Sequence, residues 1–140
     1  YSDYNLCHYW SNFEIADMDF YRSVEYQEYF NHLDSLGGFF YERWGDAPVH
    51  SIASSLFLPK DELHWFNDLS YFHSPYLSCP LNDKIRSENK CTCDPVLDFT
   101  FDDYSCTKNW LYLMQQNDAL IDYEVFKQEV GQDYFLSKYG

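Results

Sequence analysis

Tyr41-Glu42-Arg43-Trp44-Gly45-Asp46-Ala47-Pro48-Val49-His50 packs two carboxylates, a guanidinium, an indole and an imidazole beside a Gly and a Pro that restrict the backbone. Gly45-Asp46 followed by Pro48 is a helix entry: Asp46 can cap exposed N–H groups, and Pro in a first turn loses no hydrogen bond. The pattern predicts a helix running to about Leu56 and stopping before Pro59. Upstream, Asp17 or Asp19 offers an N-cap, and Phe20, Val24, Phe30 and Leu33 recur at roughly helical spacing until Gly37-Gly38. Tyr4 to Trp10 reads as a buried strand, and Phe39 to Trp44 as a strand or extended segment. Leu63–Phe66 and Leu69–Phe72 read as short strands. Residues from Ser74 to about Tyr104 read as loop, and Asp118 to about Val130 as a terminal helix. Helices alternating with strands predict an α/β layered domain.

Composition narrows the functional classes. The 140 residues suffice for one core, and 46% hydrophobic content with 14 Tyr and 12 Phe excludes a disordered chain. Nine Lys and Arg against 23 Asp and Glu give a net charge of -14, which repels a phosphate backbone and argues against nucleic acid. No apolar run approaches the ~20 residues that span a bilayer. The chain opens on Tyr1 within a strand-like segment, which reads as a fragment of a longer protein. Aromatic residues make up 21% of it, enough to stack on sugar rings as well as to fill a core.

Cys7, Cys79, Cys91, Cys93 and Cys106 make an odd number. Cys91-Thr92-Cys93 is spaced too closely for the usual structural zinc pair. Two disulfides among Cys79, Cys91, Cys93 and Cys106, without an adjacent-type Cys91–Cys93 bridge, fit better and imply an oxidising compartment. Cys7 is then left over, as a buried thiol or with a partner elsewhere.

A second stretch, Tyr4-Asn5-Leu6-Cys7-His8-Tyr9-Trp10-Ser11-Asn12-Phe13-Glu14-Ile15-Ala16-Asp17, has the same density of chemistry as the first. With Phe57-Leu58-Pro59-Lys60-Asp61 and the block from Tyr71-Phe72-His73 to Cys79-Pro80, the two resemble the C-terminal half of the fungal α-1,2-mannosyltransferases of glycosyltransferase family 15. The resemblance covers residues 1–106; residues 107–140 read as a divergent, partly helical tail. It implies the later half of a GT-A-like nucleotide-sugar transferase domain with a disulfide-stapled loop region. It also implies retaining transfer of mannose from GDP-mannose to a mannose acceptor on O- or N-linked glycans, with Mn2+, in the Golgi lumen behind an upstream membrane anchor.

Site residues follow from the matched motifs. Glu14, in Asn12-Phe13-Glu14-Ile15, reads alone as a solvated carboxylate; the resemblance makes it the proposed nucleophile beside an oxocarbenium-like centre. Asp46 serves as a helix cap, as a partner of the acceptor hydroxyl, or as both. Trp10 either stacks on a sugar or fills a core. Arg43 either holds the diphosphate bidentately or pairs with Glu42 or another acidic neighbour. His73 is a hydrogen-bonded structural imidazole or, by the resemblance, a ligand to the metal beside the diphosphate. Glu14, Asp46 and His73 are expected to line one cleft, and the isolated chain is expected to be inactive for lack of a second metal ligand and a Gly-rich phosphate loop. The competing readings are a non-catalytic, disulfide-stapled carbohydrate-binding module and a truncated, inactive gene product.

Overall fold

The computed structural model describes residues 4–130, and the chain divides into two compact units at His64 and Trp65. Residues 131–140, the end of the expected tail, lie outside the described residues. The units combine helices with one short sheet, so the mixed helix-and-sheet expectation holds. The layered sheet does not appear among the described residues, because three of the segments expected as strands take other conformations.

In the first unit, the single helix expected after Asp17 is two. Helix α1 (Met18–Arg22) is capped by Asp17, whose carboxylate accepts from the Asp19 N–H at 2.9 Å. Helix α2 (Val24–Ser35) restarts one residue later, because Ser23 is extended (φ -61°, ψ 155°) and its hydroxyl accepts from the Tyr26 N–H. Gly37 then ends α2 in the left-handed region at φ 71°, a conformation glycine adopts without strain. Gly38 is required for a different reason. A Cβ there would lie 2.3 Å from the Trp44 indole.

The extended segment expected over Phe39–Trp44 is instead a helical turn, α3 (Gly38–Tyr41), with Arg43 at φ 58° returning the Trp44 N–H to the Gly38 carbonyl at 3.3 Å. Phe39 stacks on Phe30 and meets Trp44 edge-on, contacts that a strand would forgo. Helix α4 (Asp46–Phe57) follows, with Leu58 extended ahead of Pro59. Its N-cap is Gly45 rather than Asp46, which opens the helix at its first position.

Tyr4 to Trp10 is neither a strand nor buried. Asn5 accepts from the Cys7 N–H in a local turn that competes with extended pairing, and Leu6 is left-handed at φ 63°. Among the bonds that fasten this segment is one from the Tyr9 N–H to the buried Ser51 hydroxyl at 2.7 Å. Val49, Ala53 and Tyr26 form the buried apolar centre of the unit.

Leu63–Phe66, which straddles the boundary, contributes no strand to the second unit. A hairpin of β1 (Tyr71–His73) and β2 (Tyr76–Ser78) pairs antiparallel through His73 opposite Tyr76, around a cis Ser74–Pro75 bond. The expected strand over Leu69–Phe72 is therefore present, shifted toward His73. The stretch read as loop also holds helix α5 (Asp83–Glu88), capped by Asn82, whose side-chain oxygen accepts from Lys84 and Ile85 while its amide donates to Asp122. Helices α6 (Thr107–Leu113) and α7 (Asn117–Val130) close the unit over the fully buried Leu111.

The cysteines correct one expectation. Cys79 pairs with Cys93, and Cys7 and Cys106 are both disulfide-bonded, so the free thiol is Cys91 rather than Cys7. Cys91 is held at the end of α5 by its N–H to the Arg86 carbonyl at 2.9 Å, with its sulfur toward the Asp68 carbonyl. The Cys79–Cys93 bridge closes a 14-residue separation, for which the chain-entropy model gives about 3 kcal/mol. Replacing both cysteines by Ala should lower urea stability by that order, whereas Cys91→Ser should change it by less than about 0.5 kcal/mol. Alkylation of the unfolded, non-reduced chain should label Cys91 and neither Cys79 nor Cys93.

Candidate active site

Glu14 stands just after the turn at residues 11–13 that leads from the N-terminal segment toward α1. Its side chain is about 30% exposed, and each oxygen has its own partner: Oε1 accepts from the Tyr21 hydroxyl, and Oε2 lies 2.9 Å from His50 Nδ1. The Tyr21 hydroxyl is also 3.4 Å from the same nitrogen. Tyr21 comes from α1 and His50 from α4, so three chain segments converge on one carboxylate. Burial first, then the hydrogen bond to Glu14 and the Glu14 charge, raise the Tyr21 pKa well above the ordinary phenol range. The Tyr21 ring is fixed edge-on to Tyr26 at 4.8 Å, and Tyr26 itself is 6% exposed.

Asp46 stands at the other end of α4's first turn from His50. Its Oδ2 accepts from the Ser11 hydroxyl at 2.6 Å, which ties it to the segment that carries Glu14. That bond, followed by backbone N–H groups of Asp46 and Ala47 and the nearby His50, holds its carboxyl below the usual range against a small opposing effect of burial. Asp46 thus takes up first-turn N–H groups without being the N-cap. Asp46 and His50 are four residues apart on one helix and share a face. The structure therefore joins Glu14 to His50 directly, and ties Asp46, on the same face of α4, to Ser11 three residues before Glu14.

Trp10 precedes Ser11 and is 36% exposed, so it is not a core tryptophan. Arg43 is exposed and makes no ion pair among the described residues, with Glu42 or any other acid. His73 belongs to the second unit, exposed at the end of β1. Among the described residues no three of His, Cys, Asp and Glu converge to hold a metal ion. Among the described residues His73 thus stands as a single candidate ligand.

Tyr21 and Ser11 were not legible as site residues, since nothing in their local sequence marks them. For His50 a signal existed: an i,i+4 spacing from Asp46 across a helix entry.

The family model described as "Glycolipid 2-alpha-mannosyltransferase" matches residues 1–115. Curated relatives include glycolipid 2-alpha-mannosyltransferase 2 of Candida albicans, 60% identical over 79% of this chain and 24% of its own length. The glycolipid 2-alpha-mannosyltransferase of Saccharomyces cerevisiae is 61% identical over 76% of this chain and 24% of its own length. The chain thus spans about a quarter of the curated relatives it matches. Among solved structures, the mannosyltransferase Ktr4p from S. cerevisiae in complex with GDP is 49% identical over 66% of this chain and 23% of that one, with a TM-score of 0.61. Core-mannan synthase A from Aspergillus fumigatus, in a Mn/GDP form, is 62% identical over 55% of this chain and 21% of that one, with a TM-score of 0.54.

Proposed function

This chain belongs to the glycolipid 2-alpha-mannosyltransferase family, and from that membership we propose that it carries the catalytic segment of a retaining α-1,2-mannosyltransferase using GDP-mannose. The observation that carries the reading is Glu14: a carboxyl side chain within the matched residues, with both oxygens held and Asp46 tied to its segment through Ser11. A sugar-binding module needs no carboxylate so constrained.

Transfer of a glycosyl group develops positive charge at the anomeric carbon, and a fixed carboxylate stabilises that charge or attacks it. Glu14 is assigned this role. A carboxyl with a lowered pKa is a weak base, so Asp46 is assigned as an acceptor of the incoming mannose hydroxyl's hydrogen bond, which orients it, rather than as a proton abstractor. Trp10, part-exposed beside Ser11, offers an indole face to a sugar ring, and the unpaired Arg43 offers a cation to the diphosphate. A Mn2+ ion would supply charge neutralisation at that diphosphate. The support for it is the Mn/GDP form of the Aspergillus relative, and His73 is the ligand assigned to this chain. The remaining assignments are a GT-A-like domain completed by residues other than these, a mannose-terminated glycan acceptor, and residence in the Golgi lumen behind a membrane anchor. An oxidising compartment agrees with the Cys79–Cys93 disulfide.

The test is a chimera in which residues 1–115 of this chain replace the matched segment of the S. cerevisiae glycolipid 2-alpha-mannosyltransferase. It should transfer radiolabelled mannose from GDP-mannose to α-methyl mannoside with Mn2+ present, giving a product cleaved by an α-1,2-specific mannosidase. Absence of transfer, or a product resistant to that enzyme, overturns the reading.

A further inference from the structure

Glutamate carries three side-chain torsions, and fixing them costs up to about 2 kcal/mol. At a site where Glu14 is about 30% exposed, nothing in its own segment would hold those torsions. The two partners that do hold them come from α1 and α4, 7 and 36 residues away, and neither is needed by the transfer chemistry itself.

We propose that Tyr21 and His50 are positioning residues for Glu14, each fixing one oxygen of its carboxylate and so setting the plane it presents to the anomeric carbon. The proposal rests on the transferase reading above.

Three observations support it. Each partner is packed by rings as well as bonded to Glu14: the Tyr21 ring lies edge-on to the buried Tyr26, and the His50 ring is tilted at 48° against Tyr21 at 5.2 Å and edge-on to Tyr26 at 6.5 Å. The clamp is also asymmetric in a useful way. Burial and the Glu14 charge keep the Tyr21 proton bound, so one oxygen always receives a hydroxyl hydrogen bond. The other faces His50 Nδ1, which must carry its hydrogen to bond a carboxylate, leaving Nε2 as the second ring nitrogen. Finally, His50 shares a helix face with Asp46, and its charge acts on that carboxylate. The titratable groups around His50 are thus Glu14, Tyr21, Tyr26 and Asp46. One turn of α4 thereby sets the position of the acceptor-side carboxylate relative to the one at the reacting carbon, which is where small misplacements cost rate.

Two donors also draw electron density from Glu14 and make it a poorer nucleophile than a free carboxylate. The clamp therefore suits a fixed anion stabilising positive charge better than a mobile attacking group.

The test has two arms. In the 140-residue chain, carbon-13 NMR of labelled tyrosine should show one ring, assigned by Tyr21→Phe, titrating above the others, and Glu14→Gln should lower that titration. If Tyr21 titrates with the remaining tyrosines and ignores Glu14→Gln, the clamp is overturned. In the chimera, Tyr21→Phe and His50→Leu should each lower kcat by about tenfold to a hundredfold, the loss of a hydrogen bond to a charged group. KM for GDP-mannose should stay within twofold. His50→Asn, whose amide can place an N–H near the Nδ1 position, should recover part of that loss. Tyr29→Phe, which removes a bond to the Val49 carbonyl in the same aromatic cluster, should leave kcat unchanged. Wild-type kcat in both Tyr21→Phe and His50→Leu, or an equal loss in Tyr29→Phe, overturns the positioning role. A chimera inactive even with the wild-type segment overturns the transferase reading and the catalytic consequence with it, while the titration still decides the clamp.

Discussion

Glu14→Gln in the chimeric transferase should lower kcat at least about a thousandfold, some 4 kcal/mol of transition-state stabilisation, with GDP-mannose affinity within about twofold. Gln keeps the volume and one accepting oxygen, so Tyr21 can still donate. It replaces the other oxygen by an amide nitrogen, which cannot accept from His50 Nδ1–H. The loss therefore falls on charge and on one bond of the clamp, not on packing. An interaction made mainly in the transition state lowers kcat and kcat/KM together and leaves ground-state binding intact. Glu14→Asp makes the complementary change: it keeps the charge but withdraws the carboxylate by one methylene, out of reach of both partners. Its kcat should fall about a hundredfold. Single-turnover rates with bound donor measured separately decide the matter. Turnover near wild type in Glu14→Gln would remove Glu14 from the chemistry.

What could be read from the sequence divides along a physical line. Gly37-Gly38, Pro59 and the Gly45–Pro48 entry were legible because each acts through its own backbone, whatever surrounds it. The same is true of Ser23 and Asn82, whose side chains cap the helices that follow them. Strands fared worse, because a strand is stable only with a partner. Tyr4–Trp10 and Phe39–Trp44 have strand-forming composition but form no β-pairing among the described residues, and local hydrogen bonds from Asn5 and the Gly38–Trp44 packing prevail. The site shows the same split. Glu14 and Asp46 could be named from the motifs that carry them. Tyr21 could not, since its role comes from a convergence of α1, α4 and the preceding turn that no local pattern encodes. The odd cysteine, expected at Cys7, is Cys91 for the same reason: cysteine pairing is settled by spatial proximity, which spacing along the chain does not carry.

Asp98 is expected to show the largest effect on folding. It is 7% exposed, and its carboxylate accepts three bonds: from the Cys79 N–H at 2.8 Å and the Thr100 hydroxyl at 2.8 Å on one oxygen, and from the Thr100 N–H at 3.0 Å on the other. It thereby links the disulfide end of β2 to the residues that follow the Pro95–Leu97 turn, where the Phe99 N–H also reaches the Leu77 carbonyl at 2.7 Å. Asp98→Ala would strand these donors in a buried place and should cost about 3–5 kcal/mol, as removal of a buried charged partner does. The charge is itself a liability. Burial pushes the Asp98 pKa up to about 6 from an ordinary 3.8, outweighing the three hydrogen bonds that act to lower it, and Asp102 adds a smaller push upward. Because the folded form holds the proton more tightly than the unfolded chain, stability from this group is fully present below 3.8 and is lost as pH rises through 6. The loss amounts to roughly 3 kcal/mol at most. Asp98→Asn removes the titration but sets an amide N–H against the Thr100 N–H, a cost that does not change with pH. Urea unfolding of wild type and Asp98→Asn from pH 4 to 7.5 separates the two effects, since the other 22 acidic residues are common to both chains. The stability difference should favour wild type most at the acid end and shrink as pH rises to about 6, then level off. A difference that is flat across this range, or one that grows with pH, would show that Asp98 is charged in the folded protein without penalty, and that its three hydrogen bonds outweigh its burial.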